Sequence, residues 1–177
     1  MTNHMETAHA LRGRTDVHFN CCQSVLVSFA ADLGLTEEQA FALGSNFGAG
    51  MRMGSACGAL TGALMALGLM GCDEKKAAEL LRRFRTDHGA TDCAALLRAS
   101  KDRGEEKKAH CDGLVYEMVQ AVEELAGESD TESSSVIPRS EATWESASLV
   151  PRLRVNRKFI KNSCKKLTPL CVYITGE

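Results

Sequence analysis

Proline, aromatic side chains and net charge are all scarce in this 177-residue sequence. The three prolines all follow residue 135, so the earlier part of the chain lacks the residue that most often breaks helices. Two Tyr, one Trp and six Phe are too few for the aromatic platforms on which nucleic-acid bases stack. The net charge of -2 is not that of a nucleic-acid-binding protein either. We therefore expect a helical protein that has no nucleic-acid partner.

Several short motifs are missing as well. The first twenty residues contain no apolar stretch like that of a secretory signal, so we expect a cytoplasmic protein, in which thiols are normally kept reduced. No CxxC pair occurs, so the thioredoxin, zinc-ribbon and covalent-haem signatures are all absent. The glycine-rich segment 48–54 lacks the Lys-Ser/Thr of a phosphate-binding P-loop. Its glycines therefore predict a sharp turn and close packing.

The composition changes along the chain near a polar, serine-rich run. Residues 1–135 contain 13 Lys and Arg against 20 Asp and Glu, whereas residues 136–177 contain 8 against 3. We interpret residues 1–14 as a flexible N-terminus, 15–127 as a helical domain, and 128–177 as a linker with an irregular, mostly disordered tail. We expect deletion of the basic tail to leave the thermal midpoint unchanged. The alternative is a tail that contacts anionic partners.

Apolar residues at helical spacing predict an all-α fold, a compact bundle of five to six helices. The first helix is expected to begin at Thr15 or Asp16 and to end at Leu33, and a capping box at Thr36 and Gln39 begins the second. The remaining helices are expected to begin near Ser55, Asp73, Thr91 and Glu105, and the last to end near Ala126.

The third predicted helix raises a membrane alternative. Residues 53–72 are uncharged, and twenty residues are enough to span a bilayer. Five of them are glycine, however, and Gly54, Gly58 and Gly62 repeat the GxxxG spacing of tightly packed helices. Large apolar residues are few in this segment, and the neighbouring helices are amphipathic. We therefore favour a buried central helix that its neighbours approach closely, and we do not expect a membrane protein.

The eight cysteines are the most informative side chains, because a chain of this length folds without disulfides. Cys57 and Cys93 fall in the first turns of predicted helices, where free N–H groups and the helix dipole favour the thiolate. Arg52 adds positive charge near Cys57. Cys21 and Cys111 lie on the apolar stripes of the first and last helices. We expect these four thiols to converge inside the bundle, the alternative being that each is a small apolar core residue.

Several of these motifs together resemble a known family. They are Asn20-Cys-Cys-Gln-Ser-Val-Leu26, Phe47-Gly-Ala-Gly-Met51, Cys57-Gly-Ala-Leu-Thr-Gly-Ala63, Asp92-Cys93 and Cys111. In order and spacing, residues 15–126 resemble the C_GCAxxG_C_C family of redox-active proteins. The resemblance implies a helical domain with redox or metal-binding cysteines, here Cys21, Cys57, Cys93 and Cys111. The remaining cysteines, which lie outside the family pattern, are Cys22, Cys72, Cys164 and Cys171.

The resemblance leads us to expect a site for electron transfer or redox sensing, served by an unidentified redox partner protein. The four cysteines would hold an iron–sulfur cluster, either [2Fe–2S] or [4Fe–4S], or would form a thiol–disulfide couple. For the couple we consider the pairs Cys21–Cys57 and Cys93–Cys111. The chain is also a candidate homo-oligomer.

An alternative from a different class is a zinc-binding or purely structural helical module. In the zinc-binding form His88 or His110 substitutes for a cysteine as ligand, and Cys22 or Cys72 is a further candidate. No acid–base or nucleophile–histidine pattern indicates a hydrolase or a transferase. If the protein is an enzyme at all, we therefore expect an oxidoreductase accessory or electron-transfer role.

Overall fold

The computed structural model describes residues 3–128, which form an all-α domain, as predicted. Within that range there is no β-strand, only one antiparallel bridge between Ala56 and Asp92. The predicted linker and disordered tail concern residues beyond Glu128 and lie outside the described part of the chain. The helices are α1 (His4–Gly13), α2 (Cys21–Ser28), α3 (Glu37–Gly44), α4 (Gly58–Leu69), α5 (Glu74–His88), α6 (Cys93–Asp102) and α7 (Lys107–Gly127).

The expected count of five or six helices was too low for residues 3–128, because α1 lies in the segment interpreted as a flexible N-terminus. Two of its residues, Ala8 and Leu11, are buried. The His4 ring lies between the carboxylates of Asp32 and Glu123 and so links α1 to α7. These stabilising contacts come from residues far along the chain. The ten-residue sequence of α1, considered without these contacts, therefore gives little indication of a helix.

Helix α2 begins later than predicted and ends earlier, at Ser28 rather than Leu33. Its N-cap is Asn20, whose side chain accepts from the Gln23 N–H at 3.0 Å, while the Gln23 side chain accepts from the Asn20 N–H at 2.9 Å. The Asn20 amide also donates to the Gly44 carbonyl at 3.1 Å, which ties the start of α2 to the end of α3. Because Asn20 is the N-cap, Cys21 is the first residue of α2.

Helix α4 is the buried central helix that the GxxxG spacing predicts. A Cβ atom on Gly58 would lie 2.9 Å from the Phe47 carbonyl oxygen, and one on Gly62 would lie 2.9 Å from the Cys22 carbonyl oxygen. Both distances are shorter than van der Waals contact, so only glycine lets α4 approach this closely. No helix among residues 3–128 is long and apolar enough to cross a membrane.

Helices α2, α4 and α7 contact one another and form the centre of the bundle. Helix α1 packs on α2 and α7, α3 on α2, and α5 on α4 and α7. Helix α6 packs on α7 and on the segment before α4. The apolar stripe of α7 is buried as predicted, with exposures of 5% or less at Leu114, Met118, Val122 and Leu125.

Candidate functional site

A single cavity of about 820 Å³ is lined by all four cysteines that the sequence analysis selects. Each belongs to the beginning of a different helix. The structure therefore brings together four positions spread over 90 residues, while their chemical role stays a prediction. Cys21 is the first residue of α2, Cys57 is the N-cap of α4, Cys93 is the first residue of α6, and Cys111 lies in the second turn of α7.

Backbone hydrogen bonds hold Cys57 and Cys93 on the same wall of the cavity. The Cys93 N–H donates to the Ser55 carbonyl at 2.7 Å, and the Cys57 N–H donates to the Thr91 carbonyl at 2.9 Å. Because these backbone groups take part in the antiparallel bridge, the N-cap residues of α4 and α6 differ from those predicted. Asp92 rather than Thr91 caps α6, and Cys57 itself occupies the cap position expected of Ser55.

The glycine-rich segment before α4 makes the predicted sharp turn. Gly50 has a φ of +60°, and Ala49, Met51 and Arg52 also have positive φ values, of 51° to 60°. This conformation is unfavourable for residues with a Cβ atom, so the run is strained backbone that its surroundings hold in place. A Cβ on Gly50 would lie 2.7 Å from the Cβ of Cys93. Gly50 thus lets the turn pack directly against the cysteine wall.

Cys21 and Cys111, which we call the thiol pair, line the same cavity and influence each other's ionisation. Hydrogen bonding between the two thiols raises the pKa of Cys21 and lowers the pKa of Cys111 from 9.0 to about 7. Burial opposes ionisation of both, whereas the nearby charges of Arg12 and Lys107 favour the Cys111 thiolate. Cys111 is therefore the thiol that ionises first, while Cys21 keeps its proton.

Arg12, on the unpredicted helix α1, is a cation beside the thiol pair. Its Nε donates to Asp112 at 2.6 Å and its Nη1 to the Phe19 carbonyl at 2.7 Å. The Arg12 side chain is only 8% exposed, so its charge is weakly screened. Arg52, the cation expected from sequence, instead donates to Asn46 at 3.1 Å at the edge of the cavity. Sequence reasoning missed Arg12, because nothing local distinguishes it from a surface arginine.

Burial raises the pKa of Cys57 and of Cys93, contrary to the expectation that their helix N-termini would favour the thiolates. Backbone N–H groups of α4 do favour the Cys57 thiolate, but the cost of removing it from water is larger. These two thiols are therefore held protonated. The strongest mutual effect on pKa is between Cys21 and Cys111, a pair that differs from Cys21–Cys57 and Cys93–Cys111, which were considered from sequence. The packing of α2 on α7 is the reason.

Cys22 and Cys72, the other cysteines among residues 3–128, do not line the cavity. The Cys22 sulfur lies 3.9 Å from that of Met65, and burial raises the pKa of Cys22 to about 12. Cys72 follows α4 and is half-buried. Cys164 and Cys171 lie outside the described residues. Cys22 therefore acts as a core residue, as the structural alternative expects.

The two candidate histidines differ in position. His88 Nε2 lies 2.9 Å from Glu117, and His88 does not line the cavity. His110 does line the cavity and its side chain is 8% exposed. Its Nδ1 lies 3.4 Å from Glu105, while its Nε2 is buried without a hydrogen-bond partner among residues 3–128. Only His110 therefore belongs to the site.

Four thiols are the donor set that iron–sulfur clusters take, and zinc accepts the same ligands. Within residues 3–128, however, no three His, Cys, Asp or Glu side chains are arranged to hold a metal ion. The iron–sulfur and zinc alternatives stay predictions. The Cys21 and Cys111 thiols line the same cavity, and hydrogen bonding to Cys21 lowers the pKa of Cys111 to about 7.

Comparison with known proteins finds one matching family. The model of the family described as "Putative redox-active protein (C_GCAxxG_C_C)" matches residues 19–125. Neither a curated protein nor a solved structure matches the chain. The match spans more than half of the sequence and includes all four cysteines of the cavity. This chain belongs to the C_GCAxxG_C_C family.

Proposed function

We propose that the domain is a thiol–disulfide redox protein in which Cys111 is the nucleophile and Cys21 the resolving thiol. The observation that supports this is that the two thiols line one cavity, where the interaction with Cys21 lowers the pKa of Cys111 to about 7. A thiolate is the reactive form, and attack is fastest when the thiol pKa is near the ambient pH. The family description, which names redox activity without a mechanism, is consistent with this role.

The reaction needs a disulfide, RSSR, as the oxidant. The Cys111 thiolate attacks one sulfur of RSSR, so that a mixed disulfide forms and one RS⁻ leaves. Cys21 gives its proton to the departing thiolate and then attacks the Cys111 sulfur, releasing the second RS⁻. Two electrons pass from the thiol pair to RSSR, which yields the Cys21–Cys111 disulfide, one RSH and one RS⁻. This RS⁻ takes up from water the proton that Cys111 released when it ionised. Cys57 and Cys93 stay reduced in this step, because burial keeps them protonated.

The test begins with anaerobic purification, elemental analysis and a visible spectrum of the full chain. Free thiols are then counted before and after oxidation in a glutathione redox buffer, and the linked peptides are identified by mass spectrometry. We expect the count to fall from eight to six, with Cys21 joined to Cys111. Cys111→Ser is expected to abolish this product. Cys72→Ser is the matched control, because Cys72 does not line the cavity.

Three results would contradict the proposal. A brown protein with stoichiometric iron and sulfur-to-iron absorption bands would support an iron–sulfur cluster instead. A colourless protein with one tightly bound zinc would support the metal-binding module. Eight free thiols after oxidation, without metal, would leave the cysteines as structural residues.

A further inference from the structure

Helix α1 lies antiparallel to α7 and brings one side chain to the cavity. His4, at the start of α1, lies 2.7 Å from Glu123, whereas Arg12, near the end of α1, binds Asp112. Of the residues of α1, Arg12 alone lines the cavity. Helix α1 therefore reaches the redox site through a single residue, which its remaining contacts with α7 hold in place.

The Arg12 guanidinium joins the two chain segments that carry the thiol pair. Its Nη1 donates to the Phe19 carbonyl oxygen at 2.7 Å, while its Nε and Nη2 donate to one carboxylate oxygen of Asp112 at 2.6 and 2.5 Å. Phe19 comes two residues before Cys21, and Asp112 directly follows Cys111. Because the guanidinium is planar and its N–H directions are fixed, these bonds set the distance between the two segments.

Both partners of the guanidinium are themselves held firmly. The Phe19 ring is buried and packs edge-on against Phe41, with ring centroids 5.1 Å apart. The Asp112 side chain is mostly buried, and Lys108, one helical turn earlier, binds its second oxygen at 2.6 Å. A displacement of Arg12 is therefore passed on to the backbone beside both cysteines, because neither partner is free to follow it by side-chain rotation alone.

The charge of Arg12 is the smaller part of its effect on Cys111. The largest influence on the Cys111 pKa is the interaction with Cys21, which lowers it and which depends on how close the two thiols are held. Arg12 also lowers this pKa through its charge, but the negative charge of Asp112, to which it is bound, raises it. The separation of the two thiols therefore matters more than the net charge beside them.

We propose that Arg12 is a positioning residue that holds Cys21 and Cys111 at the separation their reaction requires. We call its hydrogen bonds to Phe19 and Asp112 the clamp. The effect of the clamp on disulfide formation rests on the proposed thiol–disulfide function, whereas its effect on the distance between the thiols does not. Groups held in place react as if they were highly concentrated. The electron and proton transfers are those of the reaction given above, and Arg12 itself is chemically unchanged.

The first experiment measures alkylation of Cys111 by iodoacetamide against pH, with mass spectrometry of the labelled peptide. Arg12→Lys keeps the positive charge but cannot bind both partners in the same geometry. Asp112→Ala removes one partner together with a negative charge that raises the Cys111 pKa. An effect of charge alone predicts an unchanged midpoint in Arg12→Lys and a lower one in Asp112→Ala. The clamp predicts that the interaction with Cys21 weakens, so that the midpoint rises by roughly half a pH unit or more in both.

Two control variants separate the clamp from its charge and from the docking of α1. Asp112→Asn keeps an acceptor oxygen for Arg12 and removes the negative charge, so the midpoint is not expected to rise. His4→Gln weakens the far end of α1 and is expected to leave the midpoint unchanged. Failure of either folded clamp variant to raise the midpoint, or an equal rise in His4→Gln, would overturn the proposal. Because Arg12→Lys and Asp112→Ala break the clamp from opposite ends, the test still decides if circular dichroism shows that one of them is unfolded.

The second experiment measures the equilibrium constant for Cys21–Cys111 disulfide formation from glutathione disulfide. It is carried out at about pH 5.5, where the Cys111 thiol is protonated and the stability of its thiolate no longer contributes. We expect the constant to fall roughly fivefold or more in Arg12→Lys and to stay unchanged in His4→Gln. An unchanged constant in Arg12→Lys would overturn the clamp and leave the thiol–disulfide function intact. Absence of this disulfide in the unsubstituted protein, with raised alkylation midpoints in the clamp variants, would uphold the clamp and overturn the proposed function.

Discussion

Cys21 and Cys111 have the same side chain, but their pKa values are shifted in opposite directions. Each thiol is the strongest influence on the other, and the single proton remains with Cys21. The charge of Arg12 favours ionisation of both thiols, and that of Lys107 favours the Cys111 thiolate. Cys57 and Cys93 lie on the same cavity but have no such partner, so burial dominates and keeps them protonated. Reactivity at this site is thus decided by contacts between side chains.

The first prediction concerns the reactivity of Cys111 as pH changes. Because the pKa of Cys111 is lowered to about 7, its alkylation by iodoacetamide is expected to rise as pH increases through 7 and to level off above 8. Cys21→Ala removes the hydrogen-bond donor, so the pKa returns toward 9.0 and the rate at pH 7 falls roughly tenfold. Mass spectrometry of the labelled peptides measures both effects. A pH profile unchanged by Cys21→Ala, with Cys72→Ala as control, would contradict the thiol pair.

The second prediction concerns the ion pair behind the thiol pair. Arg12→Met leaves the Asp112 carboxylate, 14% exposed, with only Lys108 as a charged partner. We expect the free energy of unfolding to fall by about 2–3 kcal/mol, since a buried charge loses its partner. The double variant Arg12→Met/Asp112→Asn is expected to recover part of the loss. Urea unfolding measures both, and a loss below about 0.5 kcal/mol would show that the pair contributes little.

At the scale of elements, the beginnings of four helices build the cavity, and close helix contacts hold those beginnings in place. Asn20 caps α2 and also reaches the end of α3. The bridge at Ala56 and Asp92 joins the starts of α4 and α6. Helix α4 approaches α2 through Gly58 and Gly62. A change in the distance between α2 and α4 therefore moves Cys21 relative to Cys57.

The third prediction tests this close approach by a pair of glycine substitutions in α4. A Cβ on Gly62 would lie 2.9 Å from the Cys22 carbonyl oxygen and 3.1 Å from the Cβ of Val25, whereas Gly68 has open space. We expect Gly62→Ala to lower the free energy of unfolding by about 1–3 kcal/mol through overpacking. Gly68→Ala, in the same helix, is expected to raise it by up to about 1 kcal/mol through helix propensity. Equal effects in urea unfolding would contradict the tight α2–α4 contact.

At the scale of the whole molecule, the thiol pair joins parts of the chain that are 90 residues apart. Cys21 begins α2 near the N-terminus, and Cys111 lies near the start of α7, the last helix of the described part. Between them come α3 to α6, so a disulfide at the pair encloses most of the bundle. The proposed thiol–disulfide function therefore predicts that oxidation of the site changes the stability of the fold.

The fourth prediction follows from this long loop. Cross-linking two residues 90 positions apart restricts the unfolded chain, so the oxidised protein is expected to be more stable than the reduced one by about 2–4 kcal/mol. Urea unfolding of the oxidised and reduced forms measures the difference. Cys21→Ala cannot form the link and is expected to show the same stability under both conditions. A less stable oxidised form would mean that the disulfide distorts the bundle.

The sequence by itself determined the helical class and several local features. The scarcity of proline, the apolar stripe of α7 and the capping box at Thr36 act within a few residues, so their outcome could be predicted without knowledge of the fold. The spacing of Gly58 and Gly62 likewise predicted a tightly packed central helix. The four cysteines could be selected because they occupy helix beginnings and apolar faces.

Only the tertiary structure decided which thiols meet and what surrounds them. Helix α1 and its Arg12 are held by contacts with distant residues, so local propensity gave no sign of either. The interaction of Cys21 with Cys111 depends on the packing of α2 against α7, and nothing in the sequence indicated this pair. The pKa of each thiol likewise balances desolvation against neighbouring charge. Desolvation and neighbouring charge are both set by three-dimensional packing, which no local pattern of residues specifies.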